Sequence, residues 1–131
     1  MQHTIFIVDD QPAFRNALEK QLSRLRFRVR SFSSGQDLLL AIEEETPDII
    51  LLDLKMPGMS GLDVLKTLHP KVPETVIILL TAYGTVEDAV SAMKLGAFDF
   101  LIKTVDLESV EPVIDRALEY ILQRRGASCS S

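Results

Sequence analysis

The chain alternates short apolar runs with longer amphipathic stretches. The runs are Ile5-Phe6-Ile7-Val8, Ile49-Ile50-Leu51-Leu52, Val76-Ile77-Ile78-Leu79-Leu80 and Phe100-Leu101-Ile102. Unbroken apolar runs this short, rich in Ile and Val, read as strands covered on both faces. A weaker alternation from Arg28 to Phe32 reads as an edge strand. The five predicted strands are about Thr4 to Val8, Arg28 to Phe32, Asp48 to Leu52, Thr75 to Leu80 and Phe98 to Ile102. Between them, Phe14, Leu18, Leu22 and Leu25 recur at helical spacing behind Pro12, a residue suited to a first helical position. Ser34 with Asp37, Ser60 with Asp63, and Thr85 with Asp88 each place a hydroxyl three residues before a carboxylate, which resembles a capping box. Pro47 closes the second helix and Gly96 the fourth. Asp106 opens the last, which carries Val110, Val113, Ile114, Leu118, Ile121 and Leu122. Five β-α units in succession predict an α/β domain built on a parallel sheet.

In such a sheet, ligands bind beyond the carboxyl ends of the strands. Those ends carry Asp9 and Asp10, Asp53, Thr81 and Lys103. An Asp after a strand can simply cap the next helix. Three carboxylates gathered at one edge raise one another's pKa, a cost that a divalent cation removes. Carboxylates, a backbone carbonyl and waters are the usual Mg²⁺ donor set. Asp53 can be a ligand or a nucleophile that accepts a phosphoryl group as an acyl phosphate. The turn signals Pro57, Gly58 and Gly61 predict an open loop that leaves the Asp53 side chain facing solvent. Thr81, beside Ala82 and Gly84, is either a β-branched strand residue or a hydroxyl donor to phosphoryl oxygen. Lys103 is either a solvated strand end or a counter-charge that also contacts phosphate.

Composition narrows the classes. A length of 131 residues fits one domain, and 47% hydrophobic with 25% charged residues fits a globular protein. A formal charge of −5 weighs against a direct nucleic-acid surface. The single cysteine, Cys129, excludes an intrachain disulfide and fits a reducing compartment. No run approaches the roughly 20 apolar residues of a membrane span, and the start runs straight into a strand with no signal-peptide pattern. A cytoplasmic domain over residues 1–125 is expected, with 126–131 an unstructured tail or linker stub.

Several pieces, in order, carry a family resemblance: Asp9-Asp10 after the first strand, the run from Asp53 through Lys55 and Met56-Pro57-Gly58 to Gly61, Thr81-Ala82, and Gly96-Ala97-Phe98-Asp99-Phe100-Leu101-Ile102-Lys103. Over roughly residues 4 to 124 the chain resembles the receiver domain of bacterial two-component response regulators. The resemblance implies a flavodoxin-like doubly wound five-stranded sheet, order 2-1-3-4-5, with helices on both faces. It implies Asp53 as phosphoacceptor, fed by a sensor histidine kinase. Asp10, Asp53 and the Lys55 carbonyl would be direct Mg²⁺ ligands, with Asp9 acting mostly through water. Thr81 and Lys103 would contact the phosphoryl group, and Thr81 with Phe100 would form the switch. The protein would catalyse only its own phosphorylation and dephosphorylation.

The resemblance further implies a responsive surface on the fourth helix, fifth strand and fifth helix. That surface would serve a homodimer or a C-terminal output domain absent from this chain, connected with transcription. Lys55 and Tyr83, two residues past Asp53 and Thr81, would set the phosphoryl lifetime. One departure stands out: Thr104 occupies the place of a proline that the family usually joins to the lysine by a cis bond. A cis bond before a non-proline costs about 3–4 kcal/mol, so a trans bond is expected here. Two other classes fit some of these residues: an aspartyl-nucleophile phosphatase and a binding-only pseudo-receiver. Lys55 stands where such phosphatases carry a second Asp, and all five site residues are present.

Overall fold

The computed structural model describes residues 2–82, 85–103 and 107–129, with side chains for all of these except Leu107 and residues 125–129. The apolar runs become the strands β1 (Thr4–Val8), β2 (Arg28–Phe32), β3 (Ile49–Asp53), β4 (Val76–Thr81) and β5 (Asp99–Ile102). They form one parallel sheet in the order β2-β1-β3-β4-β5, as the resemblance implied. The helices are α1 (Pro12–Arg24), α2 (Gly35–Ala41), α3 (Gly61–Leu68), α4 (Val86–Lys94) and α5 (Val110–Cys129), the last preceded by a 3₁₀ turn at Leu107–Ser109.

Alternation along the strands splits the apolar side chains between two cores. Phe6, Val8, Ile50, Leu52, Ile77 and Leu79 face α2, α3 and α4, where Leu38, Val64, Leu65, Leu68 and Ala92 meet them. Ile5, Ile7, Ile49, Leu51, Ile78 and Leu80 face α1 and α5, against Leu18, Leu22, Val113, Ile114 and Ala117. β3 and β4 are buried throughout because each is covered on both sides. β2 keeps more exposure, in line with its place at the edge.

Local signals set the helix starts. The hydroxyls of Ser34 and Ser60 accept from the Asp37 and Asp63 amides, each at 3.2 Å. Of the three caps, Thr85 alone completes a reciprocal box among the described residues: its hydroxyl accepts from the Asp88 amide at 3.0 Å while the Asp88 carboxylate accepts from the Thr85 amide at 3.3 Å. Gly96 ends the α4 segment with φ +104°, a left-handed geometry that suits glycine.

Three expectations shift. β3 and β4 each run one residue further than the apolar runs suggest, so Asp53 and Thr81 are ladder residues rather than loop residues. The register pairs Asp53 with Leu80 and Thr81 with Ile102. Asp48 stays outside β3, where its carboxylate accepts from the Thr4 amide at 2.9 Å. The α5 helix continues to Cys129, into the segment expected to be unstructured. No proline interrupts that segment, and a single glycine costs a helix only about 1 kcal/mol. Asp106, Tyr83 and Thr104 lie outside the described residues, so the expectations about the last helix start, Tyr83 and the Lys103–Thr104 bond fall there too.

The completed box at Thr85 gives a direct test. Thr85→Ala should destabilise the domain by about 1 kcal/mol, read as a shift in urea midpoint at unchanged slope. An unaltered midpoint would contradict the cap.

Candidate phosphoacceptor site

The strand order reverses between β1 and β3, because the chain leaves β1 for one edge and returns to build the other side. The crevice beyond the strand ends at such a reversal is the favoured ligand position in open α/β sheets. Asp9 and Asp10 follow β1, Asp53 ends β3, Thr81 ends β4 and Lys103 follows β5. All five are thereby delivered to the same edge.

Asp9 and Asp53 are 2% and 4% exposed and Thr81 is fully buried, while Asp10 is half-buried. One carboxylate oxygen from each of Asp9, Asp10 and Asp53 lies within 4.8 Å of the others. Lys103 closes the cluster with a side chain only 6% exposed; its Nζ is 2.5 Å from Asp9 Oδ2 and 3.4 Å from Asp53 Oδ2. The Asp53 carboxyl therefore does not face solvent, contrary to the expectation drawn from the open loop. Asp9 and Lys103 cover it, and the Leu54 amide binds the Leu80 carbonyl at 3.0 Å, drawing the loop in.

Several contacts hold this geometry. The Asp9 Oδ1 accepts from the Gln11 amide at 2.9 Å, so Asp9 also braces the entry into α1. The Arg15 guanidinium donates to the Asp9 carbonyl at 2.7 Å. The Lys55 amide approaches Asp53 Oδ1 at 3.4 Å, and the Lys103 amide donates to the Thr81 carbonyl at 2.5 Å. Gly61 presses on the strand end itself: a Cβ there would sit 2.3 Å from the Asp53 carbonyl oxygen and 2.7 Å from Leu54 Cα. No side chain fits that gap.

Burial pushes the Asp53 pKa up to about 7, with the charge of Asp9 adding to the rise and Lys103 opposing it. One ammonium facing three carboxylates leaves excess negative charge in a desolvated place. A hard divalent cation with oxygen ligands matches both the donor set and that charge. By strand alternation Asp53 continues the α1 side of the sheet, with Ile49 and Leu51. Thr81 continues the opposite side, with Ile77 and Leu79, against which Phe100 also packs, half-buried. The register sets Leu79 opposite Phe100 and Thr81 opposite Ile102, so Thr81 and Phe100 are diagonal neighbours on one face.

Sequence reasoning missed Gln11, Phe14 as a site neighbour, Arg15 and the closeness of Gly61 to Asp53. Helical periodicity assigned Phe14 to a core stripe, and only the placement of α1 over the sheet end reveals that its ring also lies 4.6 Å from the Lys103 Nζ.

The fold and pocket define a doubly wound α/β domain whose carboxyl edge carries a cation-type acidic cluster closed by a lysine, with a buried threonine at the end of the adjacent strand. The chain belongs to the response regulator receiver domain family, whose model matches residues 5–115. It is 37% identical over 120 residues to the DNA-binding transcriptional regulator NtrC of Klebsiella pneumoniae, covering 92% of this chain and 26% of that protein. It is 38% identical over 112 residues to the response regulator protein PilR of Pseudomonas aeruginosa, covering 86% of this chain and 25% of that protein. The chain thus spans about a quarter of the length of these relatives. Among solved structures, a CheY-like receiver domain protein from Methanospirillum hungatei superposes with TM-score 0.91 at 26% identity, over 95% of this chain and 99% of that one. NtrX from Brucella abortus superposes with TM-score 0.92 at 29% identity, over 100% of this chain and 30% of that one. Among the described residues, no helix is long and apolar enough to cross a membrane.

Two outcomes follow from this geometry. Because the folded pKa of Asp53 lies above its unfolded value of 3.8, the folded state keeps a proton that the unfolded state has lost. Without divalent cations, stability should fall as pH rises from about 4 to about 7, by on the order of 2–4 kcal/mol. Asp53→Asn should flatten this fall and make the metal-free protein more stable at pH 8, as read by urea unfolding; an unchanged slope in that variant would contradict the assignment. Gly61→Ala should cost about 1–3 kcal/mol by driving α3 away from the strand end, a loss that differential scanning calorimetry would detect as a lowered Tm.

Proposed function

We propose that the pocket is a phosphoacceptor site and that Asp53 takes a phosphoryl group from a phosphohistidine on a sensor histidine kinase. One observation carries this reading. Asp53 lies buried at a strand end, clustered with Asp9 and Asp10 within 4.8 Å and 3.4 Å from the Lys103 ammonium. Asp10, Asp53 and the Lys55 carbonyl would hold Mg²⁺ directly, with Asp9 through water. Bound there, Mg²⁺ would neutralise charge on the transferring phosphoryl oxygens.

The residues of the chain do the rest. A carboxylate oxygen of Asp53 attacks phosphorus in line, forming the new O–P bond as the bond to the imidazole nitrogen breaks. The leaving imidazole keeps the electron pair and takes a proton from water. Lys103 shifts from Asp9 toward a phosphoryl oxygen, and the Thr81 hydroxyl donates to another. Thr81 leaves space on the face it shares with Phe100, and the ring turns into it. Two packings then differ in population, and phosphorylation favours one. Lys55 and Tyr83, two residues past Asp53 and Thr81 in the sequence, would set the acyl-phosphate lifetime. The protein has no substrate to turn over beyond its own phosphorylation and dephosphorylation.

The surface that responds is α4, β5 and α5. Its exposed apolar residues Val86, Val90, Met93, Ile102 and Tyr120 suit a homodimer or contact with a C-terminal output domain. Residues 1–125 form the receiver, which acts in the cytoplasm and controls transcription through that output, without binding nucleic acid itself.

Incubation with acetyl phosphate and Mg²⁺ tests the reading. Intact-mass analysis should show one phosphoryl group per chain, lost with EDTA and in Asp53→Asn. Turnover of small phosphoesters would indicate a phosphatase instead, and neither signal would indicate a binding-only domain. In labelled protein, Lys55→Ala and Tyr83→Ala should shorten the acyl-phosphate half-life; an unchanged half-life in both would remove these positions from lifetime control.

A further inference from the structure

The Lys103 ammonium has four neighbours, from the β1–α1 segment and from the end of β3. Beyond Asp9 and Asp53, its Nζ lies 3.3 Å from the amide oxygen of Gln11 and 4.6 Å from the centre of the Phe14 ring. Gln11 is the N-cap residue of α1, where a short oxygen-bearing side chain usually binds the first amides of the helix. Its side chain makes no such bond and instead accepts from Lys103. Phe14 stands three residues on, on the same side of the first turn, and packs against the core that faces α1 and α5. Pro12 at the first helical position fixes the backbone between them.

These two partners differ in kind from the aspartates. A neutral amide and a π face attract an ammonium without adding charge to the cluster. The ammonium sits closer to Asp9 than to Asp53, at 2.5 Å against 3.4 Å. Held by Asp9 alone, it would be bound to the wrong carboxylate for contact with a group on Asp53. A π face is tolerant of sliding, so it supports the ammonium in either place.

We infer that Gln11 and Phe14 form a seat that holds the Lys103 ammonium between Asp9 and Asp53, with Phe14 acting as a positioning residue for the phosphoryl contact of Lys103. The inference rests on the phosphoacceptor reading for its effect on rate, while the seat itself is independent of that reading.

The test replaces Phe14 with 4-fluoro-, 3,5-difluoro- and 3,4,5-trifluorophenylalanine, which drain the ring face while nearly keeping its shape, and adds Phe14→Leu. The first readout is the Lys103 ε-methylene proton shift in metal-free protein carrying ¹³C-lysine, assigned with Lys103→Arg. It should lie upfield of free lysine in the parent and return toward it in Phe14→Leu. The second is the rate of Asp53 labelling by acetyl phosphate with Mg²⁺. That rate should fall stepwise with fluorine number, by about 2- to 30-fold at the trifluoro ring, with urea midpoint and Mg²⁺ affinity unchanged. A labelling rate flat across the series, or a parent methylene at its free-lysine position, would overturn the inference. If the parent takes no label, the phosphoacceptor reading falls, and the methylene shift alone decides the seat.

Discussion

The structure turns on one crowded electrostatic contact: two buried carboxylates, Asp9 and Asp53, sharing a single buried ammonium from Lys103. Desolvation makes each charge expensive, and the shared lysine compensates only part of the total. Asp53 bears the remainder, which is why its pKa rises toward neutrality. Such a cluster is poised to accept positive charge, and it is sensitive to anything that changes the charge on Asp53. The cation binding and phosphoryl transfer proposed for this site would both draw on that one imbalance.

The fold creates the contact and limits how it can relax. In-register parallel strands bring Asp53 and Thr81 to one sheet edge, on opposite faces. Gly61 locks the start of α3 against the Asp53 backbone, and Arg15 ties the Asp9 carbonyl to α1. The anchor points of the carboxylates are thus fixed by packing, and the freedom that remains is in side chains. Thr81 ends a strand at the same sheet edge as the site and shares a face with the Phe100 ring, the placement on which the proposed switch relies.

Much of this was legible in the residues. Buried strands appear as unbroken Ile, Val and Leu runs, and β-α alternation allows few sheet topologies, so the ends of those runs located Asp9, Asp53, Thr81 and Lys103 together. The burial of Asp53 was not legible. Glycine and proline after it signal a turn, but whether that turn opens or folds over depends on long-range bonds such as Leu54 to Leu80. The role of Phe14 was hidden for a related reason: helical periodicity reports that a residue faces inward, and not which buried group it meets. The α5 helix likewise outran its sequence signals, since a lone glycine is a weak stop.

The most direct test is ¹³C NMR of the Asp53 carboxyl across pH, with and without Mg²⁺. Metal-free protein should show this carbon titrating near pH 7, far above an ordinary aspartate, and Mg²⁺ should abolish that titration while leaving the carboxylate ionised. A carboxyl that titrates near pH 4 in both conditions would mean that the cluster carries no unmet charge, and the account given for this pocket would be wrong.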